Sequence, residues 1–141
     1  MMESKKIFIL LTILFIVSIP VLAETNPVPK GTNAYIEALP YFLNGNRYLA
    51  DRLYEEAILS YQKAIEINTY FLLAYRNMGN AYALKGCSIS AADCFYKVGL
   101  LYFMINNIKM VNKTIEEMEE LTPDSPLNQK LKDKLNEEKK E

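Results

Sequence analysis

The sequence contains no histidine and no tryptophan. Without His the chain lacks the commonest general base and the commonest metal ligand. Cysteine is nearly absent too, with Cys87 and Cys94 alone. If both lie on one helix, seven residues put their Cα atoms about 10.5 Å apart, and a disulfide needs less than about 7 Å. They read as free thiols, Cys94 as a small buried apolar residue and Cys87 as partly exposed. An intermolecular bridge through Cys87 is the alternative. Two cysteines without His make a poor metal site, so no metal is expected. Five Gly and six Pro are too few for a low-complexity chain.

Neither sign of charge dominates: 16 Lys+Arg stand against 17 Asp+Glu. Residues 1–23 hold Lys5, Lys6 and Glu3, so without them the counts are 14 and 16. That mildly acidic balance offers no footprint for nucleic acid, which needs clustered cations. No glycine-rich phosphate loop and no nucleophile–base pair occur. The carboxylates Glu116, Glu117, Glu119 and Glu120 form no isolated pair and no Ca²⁺ loop, so they read as a solvated helix face. The chain is expected to be no enzyme and to need no cofactor.

The one long hydrophobic run is at the start. Lys5 and Lys6 precede an uncharged stretch from Ile7 to Leu22, and Val21-Leu22-Ala23 before Glu24 fits a signal-peptidase site cut between Ala23 and Glu24. Residues 1–23 are therefore expected to be a hydrophobic signal helix that exports the rest to the periplasm, the cell envelope or the outside. The run is near the lower length limit for spanning a bilayer, so an uncleaved single-pass anchor is the alternative. The membrane is expected to be met only through this segment. Residues 24–33, with Pro27, Pro29 and Gly31, read as an extended linker.

After the linker, residue types recur at a fixed offset of 34. Tyr41 and Tyr75, Gly45 and Gly79, Tyr48 and Tyr82, Ala57 and Ala91, and Tyr61 and Phe95 are such pairs. Ala64 and Val98 are a milder one. A fixed offset of this size marks an array of helical hairpins. Small residues let two helices approach, and aromatic residues fill the space beside them. On these residues the chain resembles the tetratricopeptide-repeat (TPR) family. The resemblance covers residues 38–71 and 72–105 as two units. It implies an all-α fold, a short right-handed helical-hairpin solenoid. Residues 24–37 hold the linker and the start of the first helix, and Pro40 fits a helix first turn. Ser88 or Ser90 is expected to cap the second helix of unit two, with Ser90 and Asp93 at capping-box spacing. Lys85-Gly86 should end the helix before it.

Residues 106–141 break the pattern. The continued register puts Lys113, Glu116 and Ser125 where Gly, Tyr and Ala belong. A hairpin is still predicted. Ile108, Val111, Ile115 and Met118 share a face of a helix over about 107–121. Thr122-Pro123 stops it. Asp124 or Ser125 caps a second helix with Pro126 at its first position and Leu127, Leu131 and Leu135 as its apolar stripe. This degenerate hairpin would close the open end of the stack.

The resemblance also implies a groove lined by the first helices. Its positions here are Leu39, Phe42, Asn46, Leu49 and Ala50, then Leu73, Arg76, Asn80, Ala83 and Leu84. Phe42, Asn46, Leu49, Arg76, Asn80 and Ala83 are the expected partner-binding residues. Arg76 and Asn80, at i and i+4, share a helix face and partly resemble the family's carboxylate clamp. Each polar residue also reads as part of a solvated face, and Phe42 and Leu49 also read as packing under the N-terminal segment around Tyr35 and Ile36. The implied partner is a protein or peptide, with the module as envelope scaffold, assembly factor or adaptor. The alternative is a membrane-anchored subunit of an oligomeric complex, and self-association is a further expectation.

Overall fold

The computed structural model describes residues 30–138. The signal segment, its cleavage site at Ala23 and Glu24, and the linker as far as residue 29 lie outside them. Six α-helices follow in order: α1 Lys30–Ala50, α2 Tyr54–Ile67, α3 Leu72–Leu84, α4 Ser88–Met104, α5 Ile108–Leu121 and α6 Pro126–Glu138. No strand occurs among the described residues. The fold is all-α, three successive helical hairpins.

The pairs 34 residues apart explain the packing. Ala57, Tyr61 and Ala64 are buried on α2, and Ala91, Phe95 and Val98 are buried on α4. Gly45 and Gly79 are buried on the facing first helices. A Cβ at Gly45 would meet the Tyr61 ring at 2.5 Å, and one at Gly79 would meet the Phe95 ring at 3.1 Å. One apolar cluster joins α1, α2 and α3 around Phe42, Tyr61, Phe71 and Met78. A second joins α4, α5 and α6 around Phe95, Val111, Met118 and Leu131.

Three turns end three helices in the same way. Arg52, Gly86 and Asn106 have φ of 60°, 85° and 54°, the left-handed region. After each, the next N–H reaches back to a carbonyl in the last helical turn: Leu53 to Tyr48, Cys87 to Tyr82, Asn107 to Tyr102. These six-residue closures satisfy carbonyls that a helix end leaves free. Lys85-Gly86 ends α3 as the sequence predicts.

Several expectations are corrected. Residues 30–33 are helical rather than linker, because α1 starts at Lys30. Pro40 therefore sits in the middle of α1 instead of its first turn. An interior Pro costs about 3 kcal/mol through its missing N–H and ring clash. Pro40 and Ile36, whose carbonyl loses a donor, are both exposed, so water can take that carbonyl. Packing beyond the Pro opposes the cost: Ala38 is fully buried, and the Tyr35 ring lies 4.9 Å from Phe71. Neither Ser88 nor Ser90 caps α4. Its N-cap is Cys87, without a side-chain bond, because the closure at Gly86 starts the helix at once.

The third hairpin forms as predicted, with a shifted register. α4 has 17 residues where α2 has 14, so α5 begins 36 residues after α3. At that offset Val111, Ile115 and Met118, all buried, stand in the places of Tyr75, Gly79 and Tyr82. Asn107 caps α5 by accepting from the Met110 N–H at 3.3 Å. Ser125 accepts from the Leu127 N–H at the start of α6. Ile115 is too bulky for a Gly-type approach, and the close contact moves: Leu131 of α6 lies against Gly99 of α4.

At the outer side of α1 the pattern changes character. Ala74, Met78 and Ala81 of α3 are buried in the first cluster. Their counterparts 34 residues earlier, Pro40, Asn44 and Arg47, are exposed.

Candidate functional site

The first helices of the hairpins touch one another through polar side chains. Asn46 of α1 is the centre of one contact. Its Oδ1 accepts from the Tyr61 hydroxyl at 2.8 Å and from Asn77 Nδ2 of α3 at 2.8 Å. Among the described residues the Asn46 Nδ2 group has no partner. Tyr61 is fully buried, and burial pushes its phenol above the ordinary range. The hydroxyl thus stays a donor, and Asn46 is held in one orientation.

The second contact joins α3 to α5. Arg76 Nη2 donates to both carboxylate oxygens of Glu117, at 2.6 and 2.9 Å. Both side chains are about three-quarters buried, at 22 % and 28 % exposure. The other terminal nitrogen of Arg76, Nη1, is buried and has no partner among the described residues. A buried unsatisfied donor is uncommon and costs about 1–3 kcal/mol.

The predicted groove residues divide. Phe42 is not on the surface: its ring lies 4.9 Å from Phe71 and 6.0 Å from Tyr61. It belongs to the core because Tyr61 of α2 and Phe71, the residue before α3, both pack against it. Leu39 and Leu49 pack partly against the same core, and Ala83 packs against the second cluster. Asn46 is engaged internally through Oδ1, and Arg76 is paired with Glu117 through Nη2. Asn80, Ala50, Leu73 and Leu84 are exposed. Arg76 and Asn80 form no joint clamp, since Arg76 is drawn to α5.

Two residues escaped the sequence reading. Asn77 pairs with Asn46 at a separation of 31 residues, which the offset of 34 does not reveal. Glu117 was hidden in a carboxylate run. That run is only half a solvated face: Glu116 and Glu120 are exposed, whereas Glu117 and Glu119 are partly buried, and Glu119 pairs with Lys132 of α6. The thiols stand as expected, both free, with Cys94 buried and Cys87 half-exposed. Burial raises the Cys94 thiol to about 12. No cluster of potential metal ligands occurs among the described residues. A depression of about 660 Å³, lined by Tyr96, Leu100, Lys130, Asp133 and Lys134, lies between α4 and α6 rather than on this face.

Stacked helical hairpins with a polar seam along their first helices define a helical-repeat module. The family model described as the TPR repeat matches residues 45–86, from Gly45 of α1 through Gly86 after α3. Among solved structures, the first TPR of Spaghetti (RPAP3) bound to an HSP90 peptide is 21 % identical, with TM-score 0.43, covering 72 % of this chain and 95 % of that one. The Arabidopsis OM64 TPR domain is 14 % identical at TM-score 0.43, covering 74 % and 98 %. YrrB, a TPR protein with an unusual peptide-binding site, is 24 % identical at 0.39, covering 67 % and 58 %. No curated protein sequence matches the chain.

Proposed function

We propose that this chain is an exported protein–protein interaction module of the TPR type that holds an extended peptide or partner helix on the face of α1, α3 and α5. The observation that carries this reading is the Asn46–Asn77 pair. Its shared oxygen is used internally, which fixes the amide of half-buried Asn46 and leaves its Nδ2 donor without a partner among the described residues. Exposed Leu73, Asn80 and Leu84 stand on the same run of α3. Fixed amides suit backbone groups of a peptide, and exposed leucines suit its apolar side chains. The module acts in the cell envelope as scaffold, assembly factor or adaptor. Release after cleavage at Ala23 is favoured over retention as an anchored subunit by the small residue before Glu24.

The test is affinity capture from the native envelope with the full chain and with a Leu73→Ala, Asn80→Ala double variant. Both positions are exposed, so melting should not change. Loss of one captured protein in the variant is expected. Equal capture by both forms would place the partner on another face. The mass of the mature N-terminus checks export: a start at Glu24 is expected, and retention of Met1 would refute cleavage.

A further inference from the structure

The turns of this fold fall into two groups. Because successive helices run in opposite directions, the start of α1, the α2–α3 turn, the α4–α5 turn and the end of α6 share one edge of the stack. The three turns inside the hairpins share the other. Two contacts support this placement: Tyr35 of α1 lies 4.9 Å from Phe71, which ends the α2–α3 turn, and Lys134 of α6 stands over the Phe103 ring of α4 at 4.8 Å. The two edges differ in charge. The hairpin turns carry Asp51, Arg52, Lys85 and Asp124, and Lys85 pairs with Glu55 at 3.0 Å. The first edge has no charged residue from Ile67 to Tyr75 or from Val98 to Ile108. Its turn tips are apolar and open: Tyr70 is 67 % exposed, Met104 65 % and Ile105 65 %. Tyr35 and Ile36 at the start of α1 are exposed as well. The backbone of these turns is largely satisfied from within. The N–H groups of Asn68, Tyr70, Phe71, Asn106 and Asn107 all donate inside the chain, and the side-chain oxygens of Asn68 and Asn107 accept there.

We propose that this uncharged edge seats the module on the surface of a lipid bilayer, with Tyr70, Met104 and Ile105 at the headgroup boundary. Exposed apolar clusters mark interaction or membrane surfaces, and two observations point to lipid. The apolar run Ile7–Leu22 joins the described fold at Lys30, on this edge, so a chain leaving a membrane turns this edge toward it. The edge also matches the neutral boundary layer, where Tyr and apolar side chains settle and where donors already paired inside the chain cost little to desolvate. Such a contact has no charge pair for salt to screen. The inference extends membrane contact beyond the N-terminal segment and is independent of the peptide-binding face of α1, α3 and α5.

The chain has no Trp, so a single introduced indole reports its own position. Tyr70→Trp, Ile105→Trp and, on the opposite edge, Ile89→Trp are made in the full chain. Each is reconstituted into phosphatidylcholine vesicles with and without bromine on the acyl chains near the headgroup. Bromine is expected to remove roughly half the emission of Tyr70→Trp and Ile105→Trp, as suits side chains about 5–10 Å into the boundary. The emission of Ile89→Trp should not change, and high salt should not relieve the quenching. Every variant carries the same apolar N-terminal run, so tethering alone cannot produce a difference between the edges. Adding Met104→Ser and Ile105→Ser to Tyr70→Trp should weaken the quenching at position 70, with melting unchanged because both residues are exposed. Equal quenching at both edges, or none at Tyr70→Trp and Ile105→Trp, overturns the proposal. A blue-shifted emission that follows protein concentration and ignores bromine assigns the edge to a second copy and overturns it too. An envelope capture that fails counts against the peptide-binding face alone, whereas failed quenching counts against this edge alone.

Discussion

Replacing Gly45 and Gly79 by alanine, one at a time, should give two different answers at equivalent positions. At Gly45 the new Cβ would stand 2.5, 2.6 and 2.9 Å from three ring atoms of Tyr61, well inside contact distance. That ring has little room to yield. It is fully buried, Phe42 lies at 6.0 Å, and its hydroxyl is tied to Asn46. Moving it costs overpacking of about 1–3 kcal/mol and the hydrogen bond, about 1 kcal/mol. The helix-propensity gain of Ala over Gly returns about 1 kcal/mol. The net loss is about 1–3 kcal/mol. At Gly79 the nearest atoms are at 3.1 and 3.2 Å, so the Phe95 ring and Cys94 need shift only by tenths of an ångström. There the propensity gain offsets the strain, and stability should stay within about 1 kcal/mol of wild type. Urea unfolding followed by circular dichroism measures both. The midpoint should fall clearly for Gly45→Ala and hardly for Gly79→Ala, with similar slopes. Equal losses, or a larger loss at Gly79, would refute the argument that ring clearance sets the cost. Gly79→Leu, which adds three carbons beyond the Cβ, should unfold the chain, and a stable variant would refute the hairpin contact itself.

Other outcomes follow from the turns and the buried groups. Arg52→Gly should stabilise by about 0.5–1 kcal/mol, because its φ of 60° strains an L side chain. Asn106→Gly should gain less, since Asn tolerates that region better, and thermal melting ranks the two. Iodoacetamide should label Cys87 and spare Cys94 in the native protein, because burial holds the Cys94 thiol at about 12; labelling of both at neutral pH would place Cys94 outside the core. Burial raises the Tyr61 and Tyr75 phenols, so the folded state favours their neutral forms. The stability this gives is fully present below the unfolded value of about 10 and is lost as pH rises through the folded values. The urea midpoint should therefore fall as pH rises above about 10, and less so in Tyr61→Phe.

The two regular units were legible because their contacts repeat. Gly45 faces Tyr61 and Gly79 faces Phe95, so one packing solution is written twice at one spacing. The degenerate hairpin was legible only as amphipathic helices. Three extra residues in α4 shift its register, and nothing in their composition signals a shift. The site was less legible than the fold. Arg76 and Glu117 are 41 residues apart, a pairing with no period behind it. Phe42 had two readings, groove by resemblance and packing near Tyr35, and its burial against Tyr61 and Phe71 favours the second. Pro40 misled for a related reason: local preference puts Pro at a helix start, and packing by Tyr35 and Ala38 outweighs it.

The outward side of α1 bears on how these chains meet one another. Head-to-tail stacking of identical repeat arrays has no built-in stop and leads to fibres rather than closed particles. Such growth on α1 would bury Asn44 and Arg47, which are exposed where their counterparts Met78 and Ala81 are buried. Desolvating an unpaired guanidinium is strongly unfavourable. The exposed Pro40, Asn44 and Arg47 thus oppose end-on stacking of a second copy against this side of α1.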